Sequence, residues 1–309
     1  MEIVEKSTLR RSILDDLLKD FDNSRCWIRT ILEPIIWLPV DRFADICARF
    51  DATVARDGFR AAMLELLADV ASEVSYDGLE YVPLEGPLLI VSNHPGTYDS
   101  LAITAGLPRD DLQIIATGYP LLRQLPNAQR HLIFTNPHGG ANVSVARSAV
   151  RHLQSGGAVL IFPSGRVEPD PAVLPGALEA LRAWSPSVEL FLRRVPQTQT
   201  QIAIVSGVLS PVFLHNPLIK LWEGLRDPQM IAEVTQILVQ MVLSKWVQLT
   251  PHITFDLPTT VDELLREGQS LYQSLVDRAH RLLDDHITKR LAQLQLGRYA
   301  EIITKERRL

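Results

Sequence analysis

The sequence has little cysteine and no excess of basic charge, and each scarcity excludes a class of protein. Its 309 residues include two cysteines, Cys26 and Cys47. They are too few for an extracellular disulfide scaffold and too isolated for a metal-site spacing. The net charge is -5, so no broad electrostatic attraction to nucleic acid is expected. A reducing, cytoplasmic compartment and a partner other than nucleic acid fit this composition best.

Long uninterrupted apolar runs are also missing. The first residues, 1–6, are charged and lack an apolar core followed by a cleavage site, so no signal peptide is expected. The longest stretch without Asp, Glu, Lys or Arg, residues 195–219, contains three prolines and three glutamines. These residues argue against a membrane-spanning helix and predict strand and loop instead.

Three kinds of functional motif are absent. Neither Gly-x4-Gly-Lys-Ser/Thr nor Gly-x-Gly-x-x-Gly occurs, which argues against nucleotide binding. No Gly-x-Ser-x-Gly elbow is present for serine-type hydrolysis. The histidines have no metal-ligand spacing, so no metal is expected. With 46% hydrophobic and 22% charged residues, the chain is nevertheless an ordinary globular protein with material for a sizeable core.

The hydrophobic pattern changes near residue 75, and two regions are predicted. Residues 1–75 are expected to be an N-terminal helical region, with a first helix starting at Ser12 and Asp15 and a further helix over 59–74. Residues 76–309 are predicted to form an α/β domain with a C-terminal helical extension, because short apolar runs alternate there with helical segments. The expected fold is a central, largely parallel or mixed β-sheet flanked by helices. Strands are predicted at 88–92, 112–116, 131–135, 158–162, 188–192, 201–206 and 252–256.

Three further helices are predicted from their starts or ends. Residues 143–154 close at a Gly-Gly pair, a usual helix stop. Asp227–Pro228 places proline at a first helical position. Thr260 with Glu263 forms a capping box before what is expected to be a long helix.

The segment 27–40 is rich in tryptophan and isoleucine and contains Pro34 and Pro39. The prolines are expected to interrupt a helix, which makes the segment unsuited to span a bilayer. Trp27, Trp37 and the apolar residues between them suit a membrane surface or a cover over a lipid-sized groove. Packing onto the neighbouring domain is the simpler interpretation of the same composition. Localisation is therefore expected to be cytoplasmic, with peripheral contact at the inner membrane face as the alternative that this segment raises.

The stretch Ser92–Asp99 offers a histidine and a carboxylate one tight turn apart. The apolar run before it predicts a buried strand, and Pro95–Gly96 predicts a sharp turn directly after that strand. Thr97 is a candidate N-cap, which places Asp99 near a helix N-terminus and lets its carboxylate fold back onto His94. An aspartate that accepts the Nδ1 proton leaves Nε2 free to take a proton from a substrate hydroxyl. A lone histidine after a strand is more often structural, so a second element is needed.

The second element follows the predicted strand 158–162. Pro163, Ser164, Gly165 and Arg166 form a turn whose backbone amides and guanidinium suit an anion or a developing oxyanion.

Taken together, the two elements resemble the glycerol-3-phosphate and lysophosphatidic acid acyltransferase superfamily. Those enzymes carry Asn-His-x4-Asp, matched here by Asn93, His94 and Asp99, and then Phe-Pro-Glu-Gly-Thr-Arg, matched here by residues 162–166. Weaker similarity at 133–136 and 202–207 extends the resemblance over about residues 76–215.

The resemblance implies an acyltransferase that moves a fatty acyl group from an acyl thioester to the hydroxyl of a glycerolipid or related acceptor. His94 would be the general base, oriented by Asp99. The turns would be set by Asn93, Pro95, Gly96 and Pro163, while the oxyanion or acceptor would be bound by Ser164, Gly165 and Arg166. The co-substrate would be acyl-CoA or acyl carrier protein, and no cofactor is implied.

The chain departs from the family pattern where the acceptor would bind. Ser164 stands where the family usually has glutamate, and one residue is missing before Arg166. Thr135 and Asn136 are candidate acceptor contacts, but Asn136–Pro137 replaces the family's Asp-Arg. We therefore expect an acceptor less anionic than glycerol 3-phosphate, or phosphate contacts from other arginines. The candidate arginines are Arg123, Arg130 and Arg147.

Two alternatives stay open. The altered Phe-Pro-Ser-Gly-Arg suits a non-catalytic lipid- or thioester-binding member of the same fold, although such a protein has no evident use for His94 and Asp99. A serine-type esterase needs an activated serine. Ser92 shares a strand face with His94 but has no obvious attack geometry.

Overall fold

Seven strands of the chain form one mixed sheet, in the order β1-β7-β6-β2-β5-β3-β4. The computed structural model describes residues 5–19, 26–135, 143–214, 227–243, 246–267 and 270–306. The strands are β1 (Ser75–Asp77), β2 (Leu88–Ser92), β3 (Leu112–Thr117), β4 (Leu132–Thr135), β5 (Ala158–Ile161), β6 (Gln199–Ser206) and β7 (His252–Phe255). The helices are α1 (Lys6–Leu18), α2 (Cys26–Asp57), α3 (Phe59–Val70), α4 (Thr97–Gly106), α5 (Pro120–Arg123), α6 (Val143–Gln154), α7 (Ala177–Ala180), α8 (Ser187–Arg194), α9 (Pro228–Val242), α10 (Val261–Glu267) and α11 (Leu271–Glu306).

Strand β2 lies at the centre of the sheet and pairs in parallel with β5 on one side and β6 on the other. Strands β3 and β4 continue the parallel set beyond β5, whereas β7 pairs antiparallel to β6. The carboxyl ends of β2, β5 and β6 therefore meet at one edge of the sheet, where parallel sheets usually bind their ligands. The predicted fold class, a largely parallel or mixed sheet flanked by helices, is confirmed.

The sheet is covered on both faces, which is why β2 is apolar at almost every position. Leu88 and Ile90 pack into a core built with the helices α2, α3 and α4. Leu89 and Val91 point to the opposite core, which α6, α8 and α11 complete. A strand buried on both faces has no polar alternation, so its sequence is a continuous hydrophobic run.

The N-terminal region is helical as predicted, but its boundaries differ. Helix α1 begins at Lys6, so that Ser12 lies in its interior and is not a start. The predicted interruption of residues 27–40 is wrong, since α2 continues through both Pro34 and Pro39. Its buried face packs against the first core and outweighs the two lost backbone hydrogen bonds. Among the described helices, none combines the length and apolar character needed to cross a bilayer.

One predicted strand is wrong. Residues 188–192 lie in helix α8, whose buried side chains Val188, Phe191 and Leu192 follow the helical spacing of three and four residues. The other predicted strands and the helix 143–154 are confirmed, with boundaries that shift by one or two residues at most. The helix start at Asp227 is also confirmed, because the Asp227 carboxylate accepts from the Gln229 N–H.

The capping box of Thr260 and Glu263 is present, with the Thr260 N–H donating to Glu263 at 2.8 Å. The helix that it starts is shorter than predicted. Helix α10 ends at Glu267, and the long helix α11 begins separately at Leu271.

Candidate active site

His94 and Asp99 are joined by a hydrogen bond of 2.6 Å between Nδ1 and Oδ2. His94 follows the carboxyl end of β2, and Asp99 is the third residue of α4, so one tight turn brings the side chains together. The Asp99 side chain is fully buried, while 28% of the His94 side chain stays exposed. The buried Asp99 carboxylate therefore orients the imidazole through Nδ1, and Nε2 takes no part in this hydrogen bond.

Asp99 also closes the turn that carries it. Its Oδ2 accepts from the Gly96 N–H at 3.2 Å, and its Oδ1 accepts from the Ser100 N–H. The predicted N-cap at Thr97 is wrong by one residue, since Gly96 is the N-cap and Thr97 begins the helix. A carboxylate at the third helical position satisfies the first backbone N–H groups, so no hydroxyl cap is needed.

Asn93 ties the start of the turn to β6. Its Nδ2 donates to Val205 O at 2.9 Å, and its Oδ1 accepts from Val205 N–H at 2.8 Å. The side chain thus continues the β2–β6 ladder by one more pair of hydrogen bonds. Ser92 is fully buried, and its hydroxyl donates to Asn93 O.

The loop after β5 lies against His94. The ring of Phe162 stacks on the imidazole with 4.5 Å between centroids. Pro163 O accepts from Ser185 N–H, and Gly165 N–H donates to Phe162 O at 3.1 Å, which closes the turn. Gly165 has φ +63°, a conformation that glycine adopts readily.

Two side chains at the tip of this loop are predicted site residues. Ser164 Oγ donates to Arg166 O at 2.8 Å. Arg166 itself is exposed to solvent. The structure thus brings the loop 162–166 to His94 and leaves Arg166 as its outward-facing cationic group.

Glu168 connects the two loops directly. Its Oε2 accepts from the His94 backbone N–H at 2.6 Å, and its own N–H donates to His94 O at 2.7 Å. Its Oε1 accepts from Trp184 Nε1 at 2.9 Å. Glu168 is 2% exposed, so this is a buried carboxylate with a donor on each oxygen.

Helix α9 closes the site from a third direction. Gln229 Nε2 donates to Pro95 O at 2.9 Å and to Glu168 O at 2.8 Å. Glu233 Oε1 accepts from Thr97 N–H at the start of α4. Both side chains are largely buried.

Negative charge dominates the surroundings of His94. Burial lowers the pKa of the imidazole, but Asp99, Glu233 and Glu168 outweigh this effect and raise it to about 9. Burial raises the pKa of both glutamates, against the hydrogen bonds that they accept and the nearby His94. Within the described ranges, no three His, Cys, Asp or Glu side chains are grouped so as to hold a metal ion.

The candidate acceptor contacts are not next to His94. Thr135 ends β4, which is separated from β2 by β5 and β3, a distance of about 14 Å for three strand spacings. Asn136 lies outside the described residues. Arg123 also lies on the β4 side of the sheet. Its guanidinium is 4.5 Å from the ring centroid of Phe134, the residue before Thr135.

Sequence reasoning missed four residues of the site, namely Glu168, Trp184, Gln229 and Glu233. Glu168 lies two residues past the motif in a loop with no periodic pattern, so nothing marks its return to His94. The residues of α9 did leave a signal. The four polar residues Gln229, Glu233, Gln236 and Gln240 recur at helical spacing, which marks one face of the helix.

Part of the chain matches a known protein family. Residues 73–187 match the family model described as Acyltransferase. Among curated proteins, the sequence has no match. Similar solved structures include the 1-acyl-sn-glycerophosphate (LPA) acyltransferase PlsC from Thermotoga maritima, with 14% identity, a TM-score of 0.44, and coverage of 92% of this chain and 96% of that chain. The matched residues 73–187 contain both motif loops and end before β6 and α9.

Proposed function

We propose that this protein moves a fatty acyl group from an acyl thioester to the hydroxyl of a glycerolipid or related acceptor, which the match of residues 73–187 to the Acyltransferase family model supports. The donor is acyl-CoA or acyl carrier protein, and the residues need no cofactor for this step. The observation that carries the proposal is the His94–Asp99 pair at 2.6 Å, with Asp99 buried and His94 partly open.

His94 Nε2 takes the proton of the acceptor hydroxyl while the oxygen attacks the thioester carbonyl carbon. The resulting imidazolium is stabilised by Asp99, which also fixes the tautomer through Nδ1. The tetrahedral intermediate then breaks its carbon–sulfur bond, and the thiolate leaves with the proton that His94 had taken. The acyl group is thereby transferred directly, with no acyl-enzyme.

The loop 162–166 supplies the groups for the developing oxyanion and for the acceptor. The Gly165 N–H already donates to Phe162 O, so the exposed guanidinium of Arg166 is the more available donor of this loop. Ser164 and Gly165 hold the turn that presents it. One well-placed donor to an oxyanion is worth about 3 kcal/mol in comparable sites.

The acceptor carries little negative charge, or its phosphate is bound by other arginines. Arg123, Arg130 and Arg147 are the candidates. Arg123 follows the carboxyl end of β3 and Arg147 lies on α6, whereas Arg130 precedes β4 and lies at the opposite end of that strand from Thr135. Efficient acylation of glycerol 3-phosphate that is unaffected by substitution of these three arginines would contradict this part of the proposal.

Peripheral membrane contact is proposed for the exposed apolar face of α2. Trp27, Ile31, Ile35 and Leu38 follow one helix face and are 62%, 54%, 66% and 45% exposed. One turn further, Arg42 donates to Met241 O and Val242 O at the end of α9. Near there Leu243 and Trp246 are also exposed, at 43% and 82%. An apolar surface of this kind lies at a lipid interface rather than across it.

A serine-type esterase is the rival that an experiment can separate most sharply. Ser92 is fully buried and Ser164 donates to Arg166 O, so neither is hydrogen-bonded to His94 as an activated nucleophile would be. Purified protein supplied with acyl-CoA or acyl carrier protein and a lysophospholipid should form diacyl product and remain unlabelled by a fluorophosphonate probe. Labelling at a serine that blocks turnover would favour the esterase. Lipid binding without turnover across donors would favour a non-catalytic member.

A further inference from the structure

The buried face of α9 is polar, which is unusual for a helix packed into a protein core. Its buried polar residues are Gln229, Glu233, Gln236 and Gln240. Buried polar groups are retained at a stability cost unless each is hydrogen-bonded. All four are bonded, and two of them contact the turns that hold His94.

Gln229 bonds to both motif loops with one amide group. Its Nε2 donates to Pro95 O, directly after His94, and to Glu168 O, two residues after the loop 162–166. Because the two N–H groups of one nitrogen reach both carbonyl oxygens, the distance between those oxygens is limited to what two hydrogen bonds from one atom can span.

Glu233 holds the beginning of α4. Its Oε1 accepts the Thr97 N–H, one of the backbone donors that have no partner inside the helix. The packing is close, because a Cβ on Gly96 would lie 2.7 Å from the same oxygen. Asp99 and Glu233 thus occupy one helix N-terminus, where negative charge is stabilised.

The same arrangement places a second carboxylate beside the catalytic pair. The charged groups that face His94 are Asp99 on α4, Glu168 on the loop after β5 and Glu233 on α9. Glu233 makes no side-chain hydrogen bond to the imidazole, so it acts on it through charge and through the position of α4.

We propose that the polar face of α9 is a positioning element of the acyl-transfer site, in which Glu233 holds the His94–Asp99 turn and sets the charge around it while Gln229 fixes the two loops together. This inference rests on the proposed function. It adds residues from outside the family-matched segment, so the domain 73–187 alone does not complete the site.

The experiment compares Glu233→Gln and Glu233→Ala with the wild type. The Glu233→Gln side chain keeps an oxygen for the Thr97 N–H but removes the charge, so the pKa of His94 should fall by ~1 unit while kcat above that pKa changes little. The Glu233→Ala change leaves the Thr97 N–H unpaired, and kcat should fall by roughly 10- to 100-fold with little change in KM. Glu73→Gln, which removes an exposed carboxylate, is the matched control and should change neither quantity.

The pKa of His94 is read by NMR titration of its imidazole, which requires no turnover. A chain that acylates none of the acceptors but shows the fall in the Glu233→Gln protein would refute the proposed function and keep the charge effect of Glu233. An unchanged His94 titration in folded Glu233→Gln protein, together with an unchanged kcat in folded Glu233→Ala protein, would overturn the inference.

Discussion

Glu168 is hydrogen-bonded to both backbone polar groups of His94. Its carboxylate accepts from the His94 N–H at 2.6 Å, and its own N–H donates to His94 O at 2.7 Å. This contact joins the loops that follow β2 and β5. Glu168 is thus the acidic residue through which this chain connects its second loop to the first.

Replacing Glu168 with glutamine should damage both stability and activity. Both carboxylate oxygens face donors, from His94 and Trp184, so an amide must turn its NH2 toward one of them. A buried donor left without an acceptor costs about 1–3 kcal/mol. Chemical denaturation should show that loss, and steady-state kinetics should show a lower kcat.

Trp184→Phe is the matched variant for this prediction. It leaves the His94 contact intact, removes the donor to Oε1 and replaces a buried indole with a smaller ring, so it should lower stability with a smaller effect on kcat. Equal kcat for Glu168→Gln and the wild type would show that the contact between the loops does not position His94.

The pH dependence of the reaction follows from the charge around His94. A general base must be neutral, and the pKa of His94 is raised to about 9 by Asp99, Glu233 and Glu168 against the effect of burial. We expect kcat/KM to rise about tenfold per pH unit below that pKa and to level off above it. The measurement is kcat/KM against pH, corrected for the spontaneous hydrolysis of the thioester.

The raised pKa of His94 also makes the stability of the folded protein depend on pH. Because the folded-state pKa of His94 lies above the unfolded value of about 6.5, its stabilising contribution is complete below that value and is lost as the pH rises through about 9. For the kinetic measurement, a plot of kcat/KM against pH with its midpoint near pH 6.5 would contradict the charge arrangement described for the site.

His286 predicts the opposite sensitivity, toward acid. It is fully buried, lies 4.8 Å from the His252 ring, and its nitrogens contact the Thr254 and Ser206 hydroxyls at 2.8 and 2.7 Å. Burial, with the positive charges nearby, lowers its pKa to about 3. The unfolded chain binds this proton first, so stability is lost as the pH falls from about 6.5 toward 3.

Substitution of His286 by glutamine removes this titrating group. Between about pH 6 and 4, the unfolding free energy of the variant should fall less steeply than that of the wild type, by up to about 1.4 kcal/mol per pH unit. Denaturation series at several pH values measure both slopes. Identical slopes would show that His286 is not held neutral in the folded protein.

The apolar face of α2 predicts binding to lipid vesicles. Changing Trp27 and Ile35 to serine removes two of its exposed apolar side chains and should reduce cosedimentation with vesicles several-fold, because membrane affinity scales with buried apolar area. Leu257→Ser, at a comparably exposed leucine that follows β7, is the control. An equal loss in both variants would indicate general hydrophobicity and not a specific face.

The contact between His94 and Asp99 was predictable because it is local. His94 and Asp99 lie on one turn, the strand before them is apolar, and the second loop follows a neighbouring parallel strand, so the sequence order alone brings both loops to one edge. The match of residues 73–187 to the acyltransferase family confirms the resemblance drawn from these motifs.

The rest of the site depends on contacts between distant parts of the chain. Glu233 meets Thr97 across 136 residues, and no local pattern specifies that approach. The strand prediction for residues 188–192 was wrong for a different reason. Five mostly apolar residues fit a strand and a short helix equally well, and only their packing in the fold decides between them. Pro34 and Pro39 likewise do not end α2, because the packing of this helix outweighs the backbone hydrogen bonds that the prolines remove.

The central claim is base-assisted acyl transfer by His94, and the most direct measurement is mass spectrometry of lipids from cells that overproduce either the wild type or His94→Ala. The account predicts one acylated product that accumulates with the wild type and is missing with the variant, at equal amounts of folded protein, because loss of the base lowers the rate by about two to four orders of magnitude. The same product at the same level in both cells would contradict it.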